Sequence, residues 1–230
     1  MNLDCVRSFK IDNQIRSKED LKVFVTKMPP IPKAQRSIES IQVLGSNNIL
    51  HVDNGNYLPI NYSLTVLLLD PADIDDFKTN LPLFGKIEFS IYPGKIYTYC
   101  LKNQIDFSLY SNAALEIPLQ FELQPLAEAE EKTISFSAAA TFLVYGNENA
   151  YPIIKITGKG TLTLNNKKIK TLEDNLIIDC KLMEAYNSSN LNKNNKVMID
   201  DFPFLIPGNN NITFDSTITN IELVFNEEWV

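Results

Sequence analysis

The chain has 230 residues and a mass of 26.1 kDa, enough for one large β domain or two domains of roughly 100–130 residues. Hydrophobic residues make up 44% and charged residues 21%, which excludes wholesale disorder, and no apolar run approaches the ~20 residues of a membrane-spanning helix. The net charge is −7 with both signs interspersed; without a Lys/Arg stripe no nucleic-acid binding is expected.

The opening MNLDCVRSFK lacks the apolar stretch of a secretory signal. Leu21–Thr26 reads as a strand. Met28-Pro29-Pro30-Ile31-Pro32 must be extended, because proline disfavours helix and cannot donate to a sheet ladder. It reads either as an arm lying on a neighbouring subunit or as a crossover on its own surface. A strand over Ile38–Val43, a turn at Gly45-Ser46-Asn47-Asn48 and a short strand around Ile49–Val52 follow, closed by the turn residues Asp53-Asn54-Gly55-Asn56. Ile60–Leu68 alternates apolar and polar residues. Asp70-Pro71-Ala72-Asp73 supplies a capping acceptor and a first-turn proline, and Ile74, Phe77 and Leu81 recur at helical spacing, so Ala72–Leu81 reads as one short helix. Pro93-Gly94 between Ile87–Tyr92 and Ile96–Cys100 makes a hairpin. Leu115–Gln124 alternates throughout. Alternation of period two buries one face of each strand and wets the other, the signature of antiparallel sandwich sheets.

The charged stretch Pro125–Lys132 breaks the alternation and reads as an exposed passage between two β units, residues 1–128 and 129–230. In the second unit Asn165-Asn166 forms a tight turn between Thr161–Leu164 and Lys167–Lys170. Cys180–Tyr186 reads as a single helical turn, Asn187–Lys196 as a mobile polar loop, and Pro207-Gly208-Asn209-Asn210 as the turn before Asn211–Phe214. The expected fold class is mainly β, two β-sandwich domains, the first with one short helix.

Chemistry-bearing residues are sparse. Cys5, Cys100 and Cys180 are odd in number and far apart, which suits neither a disulfide framework nor paired zinc spacings, and they read as three free thiols. His51 is the single histidine, and His51-Val52-Asp53 is the only His–Asp pair in sequence; residues i and i+2 share a strand face, yet no nucleophile elbow accompanies them. The acidic groups Asp73/Asp75/Asp76 and Asp200-Asp201 lack calcium-loop spacing and read as solvated charge. Nothing points to a glycosidase carboxylate pair. Trp229, the single tryptophan, reads as an apolar residue closing the last strand. No catalytic residue, cofactor or metal is expected.

The C-terminal half carries a more specific order of residues. Ala150-Tyr151-Pro152-Ile153-Ile154-Lys155-Ile156-Thr157-Gly158-Lys159-Gly160 is followed by Ile177-Ile178-Asp179, by Ala185-Tyr186, and by Phe202-Pro203-Phe204-Leu205-Ile206-Pro207-Gly208-Asn209-Asn210-Asn211-Ile212. This order resembles the distal tail protein (Dit) family of long-tailed bacteriophages, and Met28–Pro32, Arg36–Val43, Asp53–Tyr57 and Ile60–Leu68 follow the family's order more loosely. The sequence departs at Gly45-Ser46-Asn47-Asn48, where the family often shows a Gly-Arg-Asp-Gly turn, and at Glu228-Trp229, where it commonly ends in Arg-Trp. The resemblance implies a ring-forming N-terminal β-sandwich, a galectin-like C-terminal sandwich on the ring's periphery, and a hexameric ring joining the tail tube protein to the tail-associated tip protein and receptor-binding components. It further implies a virion tail-tip protein made in the host bacterial cytoplasm, structural and not an enzyme, without membrane insertion. The alternative is a carbohydrate-binding adhesion module acting through the galectin-like half.

Overall fold

The computed structural model describes residues 7–111 and 114–230, so Cys5 lies outside the described residues. The chain divides into two compact units: the described residues up to Ala127 together with Val230, and Glu128–Trp229.

The first unit contains β1 (Phe9–Ile11), β2 (Ile15–Arg16), β3 (Val23–Lys27), β4 (Arg36–Gln42), β5 (Ile49–Tyr57), β6 (Ile60–Leu68), α1 (Ile74–Asn80), β7 (Phe84–Phe89), β8 (Ile96–Leu101), β9 (Ser108–Ser111), β10 (Ala114–Leu123) and β11 (Ala127–Glu128). The main sheet runs β2-β1-β7-β8-β10-β6-β3, with antiparallel pairing throughout. The Val23 N–H at the start of its last strand donates to the carbonyl of Ser17, the residue after its first strand, at 2.9 Å, and the sheet curls into a half-barrel. Inward residues of the alternation fill it: Leu64 opposite Leu119, Val66 opposite Ile117, Tyr62 opposite Phe121, all buried. Rings meet edge-on at Tyr62–Phe89 (5.0 Å) and Tyr99–Phe121 (5.2 Å), each such pair worth about 0.5–1.5 kcal/mol beyond its buried area.

Two local choices let this sheet close. Pro118 in β10 lacks an N–H, and its carbonyl is directed at the stretch where neither β8 nor β9 reaches β10: β8 pairs with residues 121–123 and β9 with residues 114–116. There the Asn103 side chain replaces a strand, donating to the Pro118 carbonyl (2.9 Å) and accepting from the Gln120 N–H (2.8 Å), so no ladder bond is lost. At the helix, Asp70 Oδ1 accepts from the Ala72 N–H (2.9 Å) and Pro71 sits in the first turn. A 3-10 turn over Pro71–Asp73 leads into α1, a shorter regular helix than the spacing alone suggests. Phe77 and Leu81 enter the core, and full burial of such side chains stabilises by about 1.5–3 kcal/mol each.

The segment 28–34 is a crossover bound to its own barrel. Met28 and Ala34 are buried, Ile31 packs on the core, and the Tyr62 hydroxyl donates to the Pro29 carbonyl at 2.8 Å. Burial pushes the Tyr62 pKa up to about 12, so that hydroxyl keeps its proton. Of the two readings of Met28–Pro32, these contacts are those of the crossover on its own surface. Asp53–Asn56 is likewise no terminal turn: β5 continues to Tyr57, and these residues form a bulge opposite Ser37, with the Gly55 N–H donating to Asp53 Oδ1 (2.8 Å). Pro125–Lys132 is not wholly exposed either, since Ala127 is buried.

The second unit contains β12 (Lys132–Phe136), β13 (Ala140–Val144), β14 (Ile153–Gly158), β15 (Thr161–Leu164), β16 (Lys167–Thr171), β17 (Leu176–Asp179), β18 (Glu184–Asn187), β19 (Val197–Ile199), β20 (Gly208–Phe214), β21 (Ile218–Phe225) and β22 (Glu228–Trp229). Sheets β12-β21-β14-β17-β18 and β13-β20-β15-β16-β19 enclose one core, with Ile154, Ile156, Ile178, Ile221 and Leu223 from one sheet against Val144, Leu162, Leu164, Ile169 and Ile212 from the other. Asn165 and Asn166 turn the β15–β16 hairpin with φ of 48° and 68°, the left-handed pair a two-residue hairpin requires. Gly158 has φ +105°, and a Cβ there would lie 2.3 Å from the Thr217 carbonyl. Pro207–Asn210 is not a free turn, because β20 already begins at Gly208. Cys180–Met183 is a plain turn followed by β18, not a helical one.

The Asn-rich segment after β18 is tied down, contrary to its polar appearance. The Lys193 N–H donates to the Ala185 carbonyl (2.7 Å), the Asn187 N–H to the Leu191 carbonyl (3.1 Å), and the Ala185 N–H to Asn194 Oδ1 (2.6 Å). The segment thus covers an edge strand that would otherwise offer free backbone groups.

Asn210 is fully buried and holds the corner before β20. Its amide donates to the Ile206 and Gly208 carbonyls, and its Oδ1 accepts from the Ile206 N–H and the Asn165 amide. Asn210→Ala removes all four of these bonds from partly buried partners; the expected cost is about 1–3 kcal/mol, read as a lowered urea midpoint. A loss below about 0.5 kcal/mol, the range of ordinary surface substitutions, would show that the network does not carry the corner.

Candidate assembly surfaces

Between β3 and β6 the chain makes a long excursion, the β4–β5 ribbon. Its base is pinned where the Leu58 N–H donates to the Gln35 carbonyl (2.8 Å) and where the Arg36 guanidinium lies 4.3 Å from the Tyr57 ring centre. The nine residues of β5 span about 30 Å at strand rise. Cross-strand pairing sorts the side chains onto two faces. Ile38 with Asp53, Ser40 with His51 and Gln42 with Ile49 occupy one; Glu39 with Val52 and Ile41 with Leu50 occupy the other, which Val43 continues. The second face is therefore largely apolar, yet Ile41, Val43, Leu50 and Val52 are exposed, and Leu44 near the tip is fully so. A two-stranded ribbon is marginal by itself in water.

A second uncovered apolar group lies at β9. All four of its residues are exposed, with Leu109 at 81% and Tyr110 at 65%. Leu115 of β10 pairs with Leu109 on one side and Leu68 on the other, and the exposed Leu69 follows directly. A third pair, Leu83 and Phe84, stands at the start of β7, where the Asp12 carboxylate accepts from the Lys86 N–H (2.7 Å) and closes the neighbouring edge.

The residues singled out for chemistry are placed as follows. His51 is on the ribbon, its Nδ1 3.0 Å from Ser40 Oγ. Asp53 shares that face but accepts from the Gly55 N–H and lies 3.9 Å from Arg36. Ser40, His51 and Asp53 thus line up without forming a relay, since the aspartate orients no imidazole. Asp73 and Asp76 pair with Lys22 at 2.5 and 3.5 Å, Asp75 with Lys78 at 3.9 Å, and Asp201 with Lys167. Among the described residues no group of three or more His, Cys, Asp or Glu side chains is placed to hold a metal ion. No helix among them is long and apolar enough to cross a membrane.

Trp229 lies half-buried in β22, and Glu228 beside it is buried. Burial raises the Glu228 pKa, while Lys181, 3.7 Å away, opposes that shift. Tyr151, whose ring is 6.2 Å from that of Phe204, lines a cavity of 120 Å³ with Glu131, Asp179 and Lys181. Tyr151 lies two residues before β14, and nothing in the local sequence distinguishes this exposed aromatic from a core residue. The cavity is well below the ~300–1,000 Å³ of ligand pockets. A larger hollow of 440 Å³ in the first unit is lined by Lys10, Arg16 and Lys18 against Glu19 and Glu88, with Glu88 Oε1 accepting from the Gly94 N–H.

No family model matches the sequence, and no curated protein matches it. In three dimensions the chain is similar to the crystal structure of phage SPP1 Dit (gp 19.1), described as a paradigm of the hub adsorption apparatus in phages infecting Gram-positive bacteria. The TM-score is 0.75 at 12% sequence identity, covering 98% of this chain and 100% of that one. The chain has that protein's fold from end to end.

The two described cysteines are free; Cys100 is half-buried and Cys180 fully buried. Burial, with the Asp179 carboxylate in support, pushes the Cys180 thiol up to about 12. At pH 8 it should therefore stay protonated and shielded. Maleimide should leave Cys180 unlabelled in the folded protein and label it once urea unfolds the chain; peptide mapping reads this, and prompt native labelling would contradict the buried placement.

Proposed function

We propose that this chain is a structural hub of a phage tail tip. In this reading copies assemble through residues 1–128 into a closed hexameric ring that joins the tail tube to the tail-associated tip protein and receptor-binding components. Residues 129–230, a galectin-like sandwich, stand at the ring's periphery, and the protein resides in the virion tail after synthesis in the host bacterial cytoplasm. The observation that carries the reading is the likeness to a phage hub protein over both whole chains, at a TM-score of 0.75. The exposed apolar ribbon supports it: patches of more than a few hundred Å² on a soluble protein mark interaction sites.

On this reading the protein acts by geometry and not by bond chemistry. A heterologous contact repeated around an axis closes after a fixed number of copies, and a stiff barrel sets the angle between successive copies. The rival adhesion reading rests on Tyr151 and the cavity beside it, which is too small to enclose a sugar ring with its contacts.

Light scattering on the size-separated full chain should return the mass of six subunits, or of two stacked rings, at micromolar concentration. Negative-stain images should show six-fold rings with a central channel. A monomer at every concentration and salt tested would overturn the hub reading.

A further inference from the structure

We infer that the β4–β5 ribbon of one copy docks on β9 of a second copy, making the contact between subunits head-to-tail. This rests on the ring reading above and names the surfaces that would build the ring. Four features of the first unit carry it.

The first is area. Ile41, Val43, Leu50 and Val52 are exposed together on one face of the ribbon, with Leu44 near its tip and Ile38 and Ile49 on the other face. Seven exposed apolar side chains on one ribbon form the kind of large apolar patch that marks an interaction site.

The second is backbone chemistry. Among the described residues β9 is paired with a strand only on its β10 side, and the ribbon's two strands pair only with each other. Both therefore present strand edges, and an edge lacking charge or proline is a template for adding a strand from another chain. β9 reads Ser-Leu-Tyr-Ser and has neither.

The third is side-chain placement. Leu109 and Tyr110 are consecutive and exposed in β9, and Tyr110 is the extra residue where the pairing with β10 shifts register. A ribbon laid along β9 then meets two uncovered apolar side chains, with the exposed Leu69 nearby in the sheet. Leu83 and Phe84 are the weaker target, because Asp12 occupies the edge beside them.

The fourth is symmetry. Ribbon against the same edge of a second ribbon would be isologous and stop at a dimer, and any ribbon–ribbon contact would leave β9 uncovered. Ribbon against β9 covers both groups with one contact and leaves a further ribbon and a further β9 free at the ends, which is what a ring needs.

The test uses the full chain with two double variants. Ile41→Asp with Leu50→Asp spoils the ribbon, and Leu109→Asp with Tyr110→Asp spoils β9; all four residues are exposed, and circular dichroism and melting verify that each variant is folded. Each variant alone should fall from six subunits to one. Mixed in equal amounts they should form a one-to-one dimer and nothing larger, because the mixture retains a single good ribbon–β9 contact. Serine at the same positions should weaken assembly in the same direction without adding charge, which separates lost apolar contact from charge repulsion.

A ribbon variant that still forms rings, a variant that dimerises alone, or a mixture that stays monomeric would each overturn the contact. A ring-forming wild type beside such a result leaves the hub reading standing; a wild type that never assembles overturns both.

Discussion

Residues 115–123 of β10 pair one for one with residues 68–60 of β6, and the first unit hangs on that ladder. Every second pair places two buried apolar residues against each other, so the register cannot slip by one without turning the whole set outward. β8, β9 and β3 are then positioned by attachment to these two strands. The short segment between β2 and β3 brings the ends of the curled sheet together at Ser17 and Val23. Pro118 would be a defect in most central strands. Here it faces a gap in the neighbouring strands that the Asn103 side chain fills.

A curled sheet with a packed core can hold an arm at a defined angle. The ribbon leaves between β3 and β6, both pinned by long ladders, and its base is tied by Leu58 to Gln35. The core of its own unit contains none of the ribbon's residues up to Val52, so truncating the ribbon's side chains should cost folding little while removing contact surface. On the proposed reading, the groups that fold the chain are thus distinct from those that would join copies.

The second unit treats one of its edges differently. β18 is covered by a segment of its own chain, through Lys193, Leu191 and Asn194. Asn210 and Asn165 lock the β15–β16 turn to the start of β20. Polar residues that look like loop filler in one dimension are thus spent on satisfying backbone groups, which is how a sandwich limits strand addition from outside.

The sequence by itself determined the class of fold, the strand at Ile60–Leu68, the hairpins at Pro93-Gly94 and Asn165-Asn166, and the helix near Phe77. Each rests on a local rule: side-chain period, left-handed turn residues or an N-cap. It also carried the resemblance that the fold comparison later matched. Tertiary structure alone decided the rest. Met28–Pro32 looks like a free arm, because prolines disqualify it from a ladder, yet Tyr62 and the core hold it. Asp53–Asn56 carries turn chemistry, yet serves as a bulge within a strand whose partner lies across a tip made by residues 43–48. The ribbon's apolar face is not legible in the sequence for the same reason. Ile41, Leu50 and Val52 have the composition and alternation of core residues, and nothing local to them says that no second layer of this chain covers them. Whether an apolar strand face is interior or interface depends on what the rest of the chain places over it, a property of long-range packing that no window of neighbouring residues contains.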